Sequence, residues 1–268
     1  NILMKDIEDE KHNTTRFVVL AREPFDSEIF EMAIGRVVHA EALTSEEYRA
    51  LYDALASRAR DLGLRQILRR VPVSGLEEIW ALEGTGFQLM DVGVTFSREL
   101  TSPMEPPARD HLLVRNATHD DMAAIVPPMV ERPWSSRFEA DPSYTANQVR
   151  ELRSRWLWNS YRGRAQAVLV GVLDGRPAGY VTCLLHERSR VGEIDLVGTL
   201  PEARGRGVAS RVLQHAVAWF STRADRVTVR TQATNFAAAS LYEKAGFTLC
   251  ASDATYRIEV EGRRAGVS

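Results

Sequence analysis

The stretch Glu193-Ile-Asp-Leu-Val-Gly-Thr-Leu-Pro-Glu-Ala-Arg-Gly-Arg-Gly-Val-Ala209 joins the pattern of a strand to the start of a helix through a glycine-rich turn. Gly205 and Gly207 allow the backbone to approach a ligand closely, and the first turn of a helix presents unpaired N–H groups and positive partial charge. Residues 204–209 therefore predict a site for an anion such as a pyrophosphate. A glycine-rich turn with solvated arginine side chains is the alternative.

Strand and helix patterns alternate on both sides of this stretch. One helix is predicted to begin at Thr44, which forms a capping box with Glu47. Another is predicted to begin at Thr118 and to be broken by the prolines at 127 and 128. Asp174-Gly175 predicts a hairpin turn between two strands. This order of elements predicts a mixed α/β sheet with helices on its faces.

The chain also resembles itself at a shift of 160 residues, which brings Gly86-Phe87 onto Gly246-Phe247. Both copies read strand, helix, Gly-Phe, strand, as expected for a duplicated unit. Residues 101–109 contain three prolines and are typical of a linker. We therefore divide the chain into a first half, residues 23–100, and a second half, residues 110–262.

Composition excludes several classes of protein. The 268 residues are 44% hydrophobic and 26% charged, which excludes a disordered chain, and the formal net charge of −2 favours neither nucleic acid nor a membrane surface as a partner. The two cysteines predict no disulfide framework, and we expect a cytoplasmic protein. The six histidines show no metal-ligand spacing, so no metal is expected.

Two segments carry a resemblance to a known family. The loop Arg204-x-x-Gly207-x-Ala209, and after it Asn235-x-x-Ala238-x-x-Leu241-Tyr242-x-x-x-Gly246-Phe247, resemble the acyl-CoA motifs of the GNAT acyltransferase superfamily. The resemblance implies acetyl-CoA as co-substrate. It implies that the Arg/Gly loop holds the pyrophosphate, that a splayed strand before the loop binds the pantetheine, and that Tyr242 protonates the departing thiolate. The implied cofactor-binding residues are Val197, Gly198, Thr199, Arg204, Gly205, Arg206, Gly207, Val208, Ala209, Asn235 and Ala238.

The strand before the loop carries two acidic residues that could act on the acceptor. Glu193 and Asp195 are two residues apart and so share a strand face. An alkylammonium has no lone pair and must lose a proton before it attacks a thioester, and we expect Asp195 to relay that proton. A hydrogen-bonded strand acid without a catalytic role is the alternative.

A narrower resemblance is to TDP-fucosamine N-acetyltransferases, which are built as a degenerate GNAT-like half followed by a working one. Its residues in the second half are Ser136-Arg137-Phe138, Asp141-Pro142 and Trp156-x-x-Asn159-x-x-Arg162-Gly163, and those in the first half are Phe25-Asp26-Ser27, Phe30 and Ile34-Gly35-Arg36. It implies a tandem GNAT-like fold with a degenerate first half and a complete second half. It also suggests Arg137, Phe138 and Trp156 as substrate-binding residues, although such aromatic residues can equally belong to the core.

The N-terminus carries a separate resemblance. Ile7-x-Asp9-x-x-x-Asn13-x-Thr15-Arg16-Phe17 is similar to the end of the catalytic domain of prephenate dehydratases. Residues 1–22 are thus either the remnant of a preceding domain in a longer fusion or a polar turn before a first strand at residues 17–21.

Together these observations predict an N-acetyltransferase that moves an acetyl group from acetyl-CoA to a primary amine of a small molecule, an amino sugar or a nucleotide-linked amino sugar. The alternatives are a peptide or protein amine as acceptor, a longer acyl-CoA as donor, and a non-catalytic module that senses CoA. The oligomeric state stays open, with a homodimer among the alternatives.

Overall fold

The computed structural model describes residues 2–5, 16–108, 111–132, 134 and 136–260. The first half contains β1 (Ile2–Lys5), β2 (Phe17–Arg22), α1 (Pro24–Phe30), β3 (Ile34–Glu41), α2 (Ser45–Asp61), β4 (Gln66–Pro72), α3 (Leu76–Gly84) and β5 (Gln88–Glu99). The second half contains β6 (Leu112–Asn116), α4 (His119–Val130), α5 (Arg137–Ala140), α6 (Ala146–Asn159), β7 (Ala167–Leu173), β8 (Arg176–His186), β9 (Val191–Thr199), α7 (Val208–Phe220), β10 (Arg226–Gln232), α8 (Phe236–Lys244) and β11 (Thr248–Glu259). A π-helical turn, Ser160–Arg164, follows α6, and a 3-10 turn, Pro201–Ala203, precedes α7.

The chain divides into two compact units. Unit 1 comprises Asn1–Gly93, Ala140–Tyr144 and Ser252–Ser268, and unit 2 comprises Val94–Glu139 and Thr145–Ala251. The strand order is β1-β2-β3-β4-β11-β5 in unit 1 and β5-β10-β9-β8-β7-β6 in unit 2, with β5 and β11 divided between the units. Each unit contains a parallel strand pair, β3 with β4 in unit 1 and β9 with β10 in unit 2. The predicted mixed α/β fold is confirmed.

The compact units differ from the sequence halves because β11 completes the sheet of unit 1. Its residues 253–259 pair antiparallel with residues 72–66 of β4. Residues 140–144 also belong to unit 1, where Asp141 forms a buried ion pair with Arg257. The second half thus supplies a strand and a loop to unit 1, whereas β5 supplies residues 94–99 to unit 2.

The duplication is visible in the element bounds. Shifted by 160 residues, β4, α3 and β5 coincide with β10, α8 and β11. The turn after each helix is also the same: Gly86 and Gly246 have φ values of 88° and 80°, which favour glycine. Because each copy repeats the same helix end and strand start, the internal similarity reflects a repeated supersecondary unit.

Each unit has its own apolar core. In unit 2, α7 buries one face against the sheet, as its amphipathic sequence requires; its buried residues include Val212, Leu213, Ala216, Val217 and Phe220. In unit 1, α2 buries Tyr52, Leu55 and Ala59 in the same manner. Each helix thus shares an apolar core with the parallel strand pair of its unit.

Several local predictions are confirmed and one is wrong. The capping boxes at Thr44 and Thr118 are present, and Asp174 and Gly175 both have positive φ in the hairpin turn. However, α4 continues through both prolines to Val130. Each proline removes one helical N–H donor, but the turn beyond the prolines buries Val130 in the same apolar core as Ile125 and Val126, and this burial offsets the loss.

The N-terminal segment contains the strand that was predicted there. The strand predicted at residues 17–21 is present as β2, but it is not the first strand, because β1 precedes it and pairs with it. Residues 7–15, which carry most of the prephenate dehydratase resemblance, lie outside the described residues. Among the helices that the structure describes, none combines the length and apolar character of a membrane span.

Candidate active site

The strand β9 separates from β10 before either strand ends. The parallel pairing extends only from Val191 with Arg226 to Ile194 with Val229, although β10 continues to Gln232. On its other edge β9 stays paired with β8 as far as Thr199. The two strands therefore open a gap, and residues 195–199 border it. The predicted cofactor-binding residues Val197, Gly198 and Thr199 lie here, and the buried hydroxyl of Thr199 has no hydrogen-bond partner among the described residues.

The loop after β9 leads directly into the N-terminus of α7. Gly205 and Gly207 have φ values of 74° and 78°, and apart from adjacent residues no described atom lies within 4 Å of the position that a Cβ would take at either residue. Gly207 is the N-cap and offers no side-chain acceptor, and the first helical bond runs from the Arg211 N–H to its carbonyl at 3.0 Å. The N–H groups of residues 208–210 thus lack helical partners. These features fit an anion, and the predicted Arg204, Arg206, Val208 and Ala209 all belong to this loop or the first turn of α7.

The corresponding helix start in unit 1 is closed. The N–H groups of Leu43 and Thr44 donate to Oε2 of Glu47 at 2.8 and 3.3 Å, and the N–H of Ser45 donates to Oε2 of Glu77 at 2.8 Å. Two carboxylates therefore already accept hydrogen bonds from the start of α2. An additional anion would meet two negative charges there, which repel it.

Asn235 serves as the N-cap of α8. Its Oδ1 accepts the N–H of Ala238 at 3.2 Å, and its Nδ2 donates to Thr231 Oγ1 at 3.0 Å. Both polar atoms of the Asn235 side chain thus form hydrogen bonds with nearby residues. The contact of Asn235 and Ala238 with the cofactor stays a prediction.

Tyr242 lies in the apolar core of unit 2. It is 3% exposed, and its ring packs against those of Phe96 and Phe247 at centroid distances of 5.8 and 6.2 Å. Burial raises the pKa of Tyr242 to about 12. No residue in the described part of the chain forms a hydrogen bond with its hydroxyl group, so the proton is not committed to another side chain. Its role as the proton donor stays a prediction.

The two acidic residues of β9 have different partners. Asp195 forms an ion pair with Arg164, and this contact raises the pKa of the guanidinium. Glu193 lies 2.8 Å from Nε2 of His186, and its side chain is 39% exposed compared with 19% for Asp195. Asp195 is already held by the guanidinium of Arg164, whereas Glu193 is more exposed and lies beside a histidine, so the geometry favours Glu193 over Asp195 as the candidate base.

The predicted substrate-binding residues form an aromatic cluster. The guanidinium of Arg137 stacks on the ring of Phe138 at 3.9 Å, and Phe138 meets Trp156 edge-on at 5.4 Å. Trp134 adds a further ring 6.3 Å from Trp156. The structure thus brings the three predicted residues together, while sequence reasoning missed Trp134.

Unit 1 contains a cavity of about 670 Å³ bordered by Arg65, Gln66 and Glu259, and none of the predicted site residues lines it. Among the described residues, no three His, Cys, Asp or Glu side chains are grouped as a metal site requires.

Comparison with known proteins places the second half of the chain in a family. The model of the acetyltransferase (GNAT) family matches residues 129–247, which include the β9 loop and α8. An uncharacterized N-acetyltransferase of Archaeoglobus fulgidus is 31% identical over 119 residues, which cover 42% of this chain and 77% of that protein.

Two further relatives are matched over smaller shares of their length. The spore coat polysaccharide biosynthesis protein SpsD of Bacillus subtilis is 31% identical over 114 residues, covering 42% of this chain and 39% of SpsD. A mycothiol acetyltransferase of Streptomyces griseus is 33% identical over 87 residues, covering 32% of this chain and 28% of that protein. The chain therefore spans well under half the length of both of these relatives.

Solved structures extend the likeness in fold to most of the chain. A GCN5-related N-acetyltransferase from Sphaerobacter thermophilus has a TM-score of 0.65 at 17% identity, covering 94% of this chain and 79% of that one. A tandem GNAT protein from the clavulanic acid biosynthesis pathway has a TM-score of 0.59 at 14% identity, covering 86% and 76%. The fold, the open helix start and the sequence relatives agree, and the chain belongs to the GNAT acetyltransferase family.

Proposed function

We propose that this protein transfers an acetyl group from acetyl-CoA to a primary amine on an amino sugar or a nucleotide-linked amino sugar. The observation that carries the proposal is the start of α7, which lies beside the gap between β9 and β10 and is uncapped, whereas the corresponding start of α2 in unit 1 is closed by two carboxylates. The sugar acceptor is supported by the aromatic cluster around Trp156, since aromatic rings stack well on sugars and bases. It is also supported by two relatives, one named for polysaccharide biosynthesis and one for mycothiol acetylation.

The residues around the gap would have separate roles in cofactor binding and in catalysis. Acetyl-CoA supplies an activated acyl group as a thioester. The free N–H groups of residues 208–210 and the positive end of α7 would hold its pyrophosphate. The backbone of residues 197–199 would align the pantetheine and donate hydrogen bonds to the carbonyl oxygen as charge develops on it. Tyr242 would donate the proton to the sulfur.

A base must also take up the proton that the amine substrate loses. We assign this step to Glu193, with His186 as its hydrogen-bonded partner, because Asp195 is held by Arg164. Asp195, which the sequence put in this role, becomes the competing candidate.

Replacing each acid should separate the two candidates. We expect Glu193→Gln to lower kcat by about 10²-fold or more, as for loss of a general base. Asp195→Asn should affect kcat less and the KM for acetyl-CoA more, because its ion pair supports β9. Steady-state kinetics across pH 6 to 10 would check this, and the reverse pattern would return the relay to Asp195.

We also expect one acetyl-CoA per chain. Glu47 and Glu77 close the start of α2 in unit 1, so of these two corresponding helix starts only that of α7 is open to an anion. Isothermal titration of acetyl-CoA should give a stoichiometry near one. Two equivalent sites would contradict the prediction that the first half is degenerate.

The acceptor is best tested with a thiol-release assay. Acetyl-CoA would be combined with nucleotide-linked amino sugars, free amino sugars and peptides, and longer acyl-CoA donors would be run in parallel. Turnover restricted to the sugars supports the proposal, and turnover of peptides alone would overturn it. Acetyl-CoA binding without thiol release on any amine would favour a CoA-sensing module. A cytoplasmic location and a homodimer stay predictions; of the two cysteines, Cys183 is buried and Cys250 is exposed.

A further inference from the structure

A bulge in β9 marks the point where this strand leaves β10. Val181 of β8 pairs with Val197, and Cys183 pairs with Ile194, so Asp195 and Leu196 together oppose a single residue, Thr182. An extra residue of this kind bends a strand and increases its twist. The bulge begins directly after Ile194, the last residue of β9 that pairs with β10. The bend therefore coincides with the opening of the gap.

The side chain of Thr182 completes the hydrogen bonding of this bulge. Its Oγ1 accepts the N–H of Leu196 at 2.9 Å, and the residue is 0% exposed. A bulge disrupts the ladder and leaves an N–H group without its usual carbonyl partner, which is costly inside a protein. The threonine hydroxyl replaces that carbonyl.

The other residue of the bulge is held from outside the sheet. Arg164, at the end of the π-helical turn, forms the ion pair with Asp195. Asp195 and Leu196 are thus each fixed by a side chain from a different element.

Unit 1 contains the same bulge without such a threonine. Ile34 of β3 pairs with Gln66 of β4, and Val191 of β9 pairs with Arg226 of β10. Gln66 and Arg226 coincide at the shift of 160 residues, so Ile34 corresponds to Val191. Four residues further along each strand, Val38 of β3 therefore corresponds to Asp195 of β9. Val19 pairs with His39 and the next residue of β2, Leu20, pairs with Val37, so β2 has no residue left opposite Val38. The threonine therefore belongs to the copy in which the helix start is open.

We propose that Thr182 is a positioning residue for acetyl-CoA. Thr182 holds β9 in the bulged path that directs residues 197–199 toward the gap. This inference rests on the proposed use of that gap by acetyl-CoA. Thr182 is fully buried and acts through β9, so it belongs to the support of the site and not to the groups that touch substrate.

The test compares variants that differ in one oxygen atom. Thr182→Val keeps the shape of the side chain and removes the acceptor, whereas Thr182→Ser keeps it. Thr228→Val is the matched control, because Thr228 also lies in this sheet and bonds a β9 carbonyl, that of Gly192 at 3.3 Å, away from the bulge. The measurements are acetyl-CoA affinity by calorimetry, hydrogen exchange of the Leu196 amide by NMR, and the melting temperature.

We expect Thr182→Val to weaken acetyl-CoA binding about tenfold and to speed exchange at Leu196, with both effects rescued in Thr182→Ser and absent in Thr228→Val. Wild-type affinity together with fast exchange at Leu196 would show that the bond is merely structural and would overturn the proposal. Equal loss in the Ser variant would also overturn it. If Thr182→Val does not fold, Thr182→Ala removes the same oxygen with less crowding. Because affinity and exchange need no acceptor, the result stands apart from whether any amine is turned over.

Discussion

Gly207→Glu is expected to reduce acetyl-CoA affinity by at least about 100-fold while leaving the fold intact. A carboxylate at the N-cap would occupy the place of the pyrophosphate and repel it, in the way that Glu47 and Glu77 already close the start of α2. The left-handed backbone at this glycine adds roughly 1 kcal/mol of strain, which is small compared with the stability of a domain. Isothermal titration and circular dichroism on the same sample would measure both effects.

The control for this variant is Gly63→Glu. Gly63 has a φ of 69° and open surroundings among the described atoms, so the same substitution brings the same strain and charge to unit 1. We expect that variant to bind acetyl-CoA as the wild type does. Gly207→Asn tolerates the left-handed conformation without a charge, and it should lose much less affinity than Gly207→Glu. Unchanged affinity in Gly207→Glu would mean that the cofactor binds elsewhere.

Tyr242→Phe is expected to lower kcat by about 10²–10⁴-fold with little change in acetyl-CoA affinity, because the ring stays in place and only the proton is removed. The size of the effect depends on the difference between the pKa of Tyr242 and the pKa of the thiol. Against a thiol of pKa about 8.5, a tyrosine at about 10 makes the transfer uphill by about 2 kcal/mol. Burial raises the pKa of Tyr242 to about 12, which widens the difference to about 5 kcal/mol.

Desolvation of the thiolate in the same apolar surroundings must therefore raise its pKa in parallel if Tyr242 is the donor. The raised pKa also means that Tyr242 stays protonated through the accessible range, so it should contribute no alkaline limb to the pH profile of kcat below about pH 11.

Tyr256→Phe provides the matched control. Tyr256 is likewise 3% exposed with its pKa raised to about 12, but it lies in unit 1 and donates to Glu83 at 2.9 Å. Its replacement should leave kcat unchanged. Single-turnover measurements, in which chemistry is observed apart from product release, would decide the question. A wild-type rate for Tyr242→Phe there would make this residue part of the core alone.

The sequence by itself determined the elements and their repetition. Glycines with positive φ, capping residues and apolar spacing act within a few residues of each other. They therefore predicted the helix starts at Thr44 and Thr118 and the turn at Asp174. They also predicted the match of β4, α3 and β5 with their second copies. The same holds for the loop of Gly205 and Gly207, because its chemistry resides in the backbone of one short segment.

Only the tertiary structure decided which side chains meet and which strands complete which sheet. Nothing local in β11 indicates that it pairs with β4, or that Asp141 reaches Arg257, since both depend on strands far apart in the chain. Asp195 could be identified as a strand acid, but its capture by Arg164 and the two-against-one register opposite Thr182 arise from pairing between strands. Periodicity within a strand does not fix its register against a neighbour, and that register is what opens the gap beside α7.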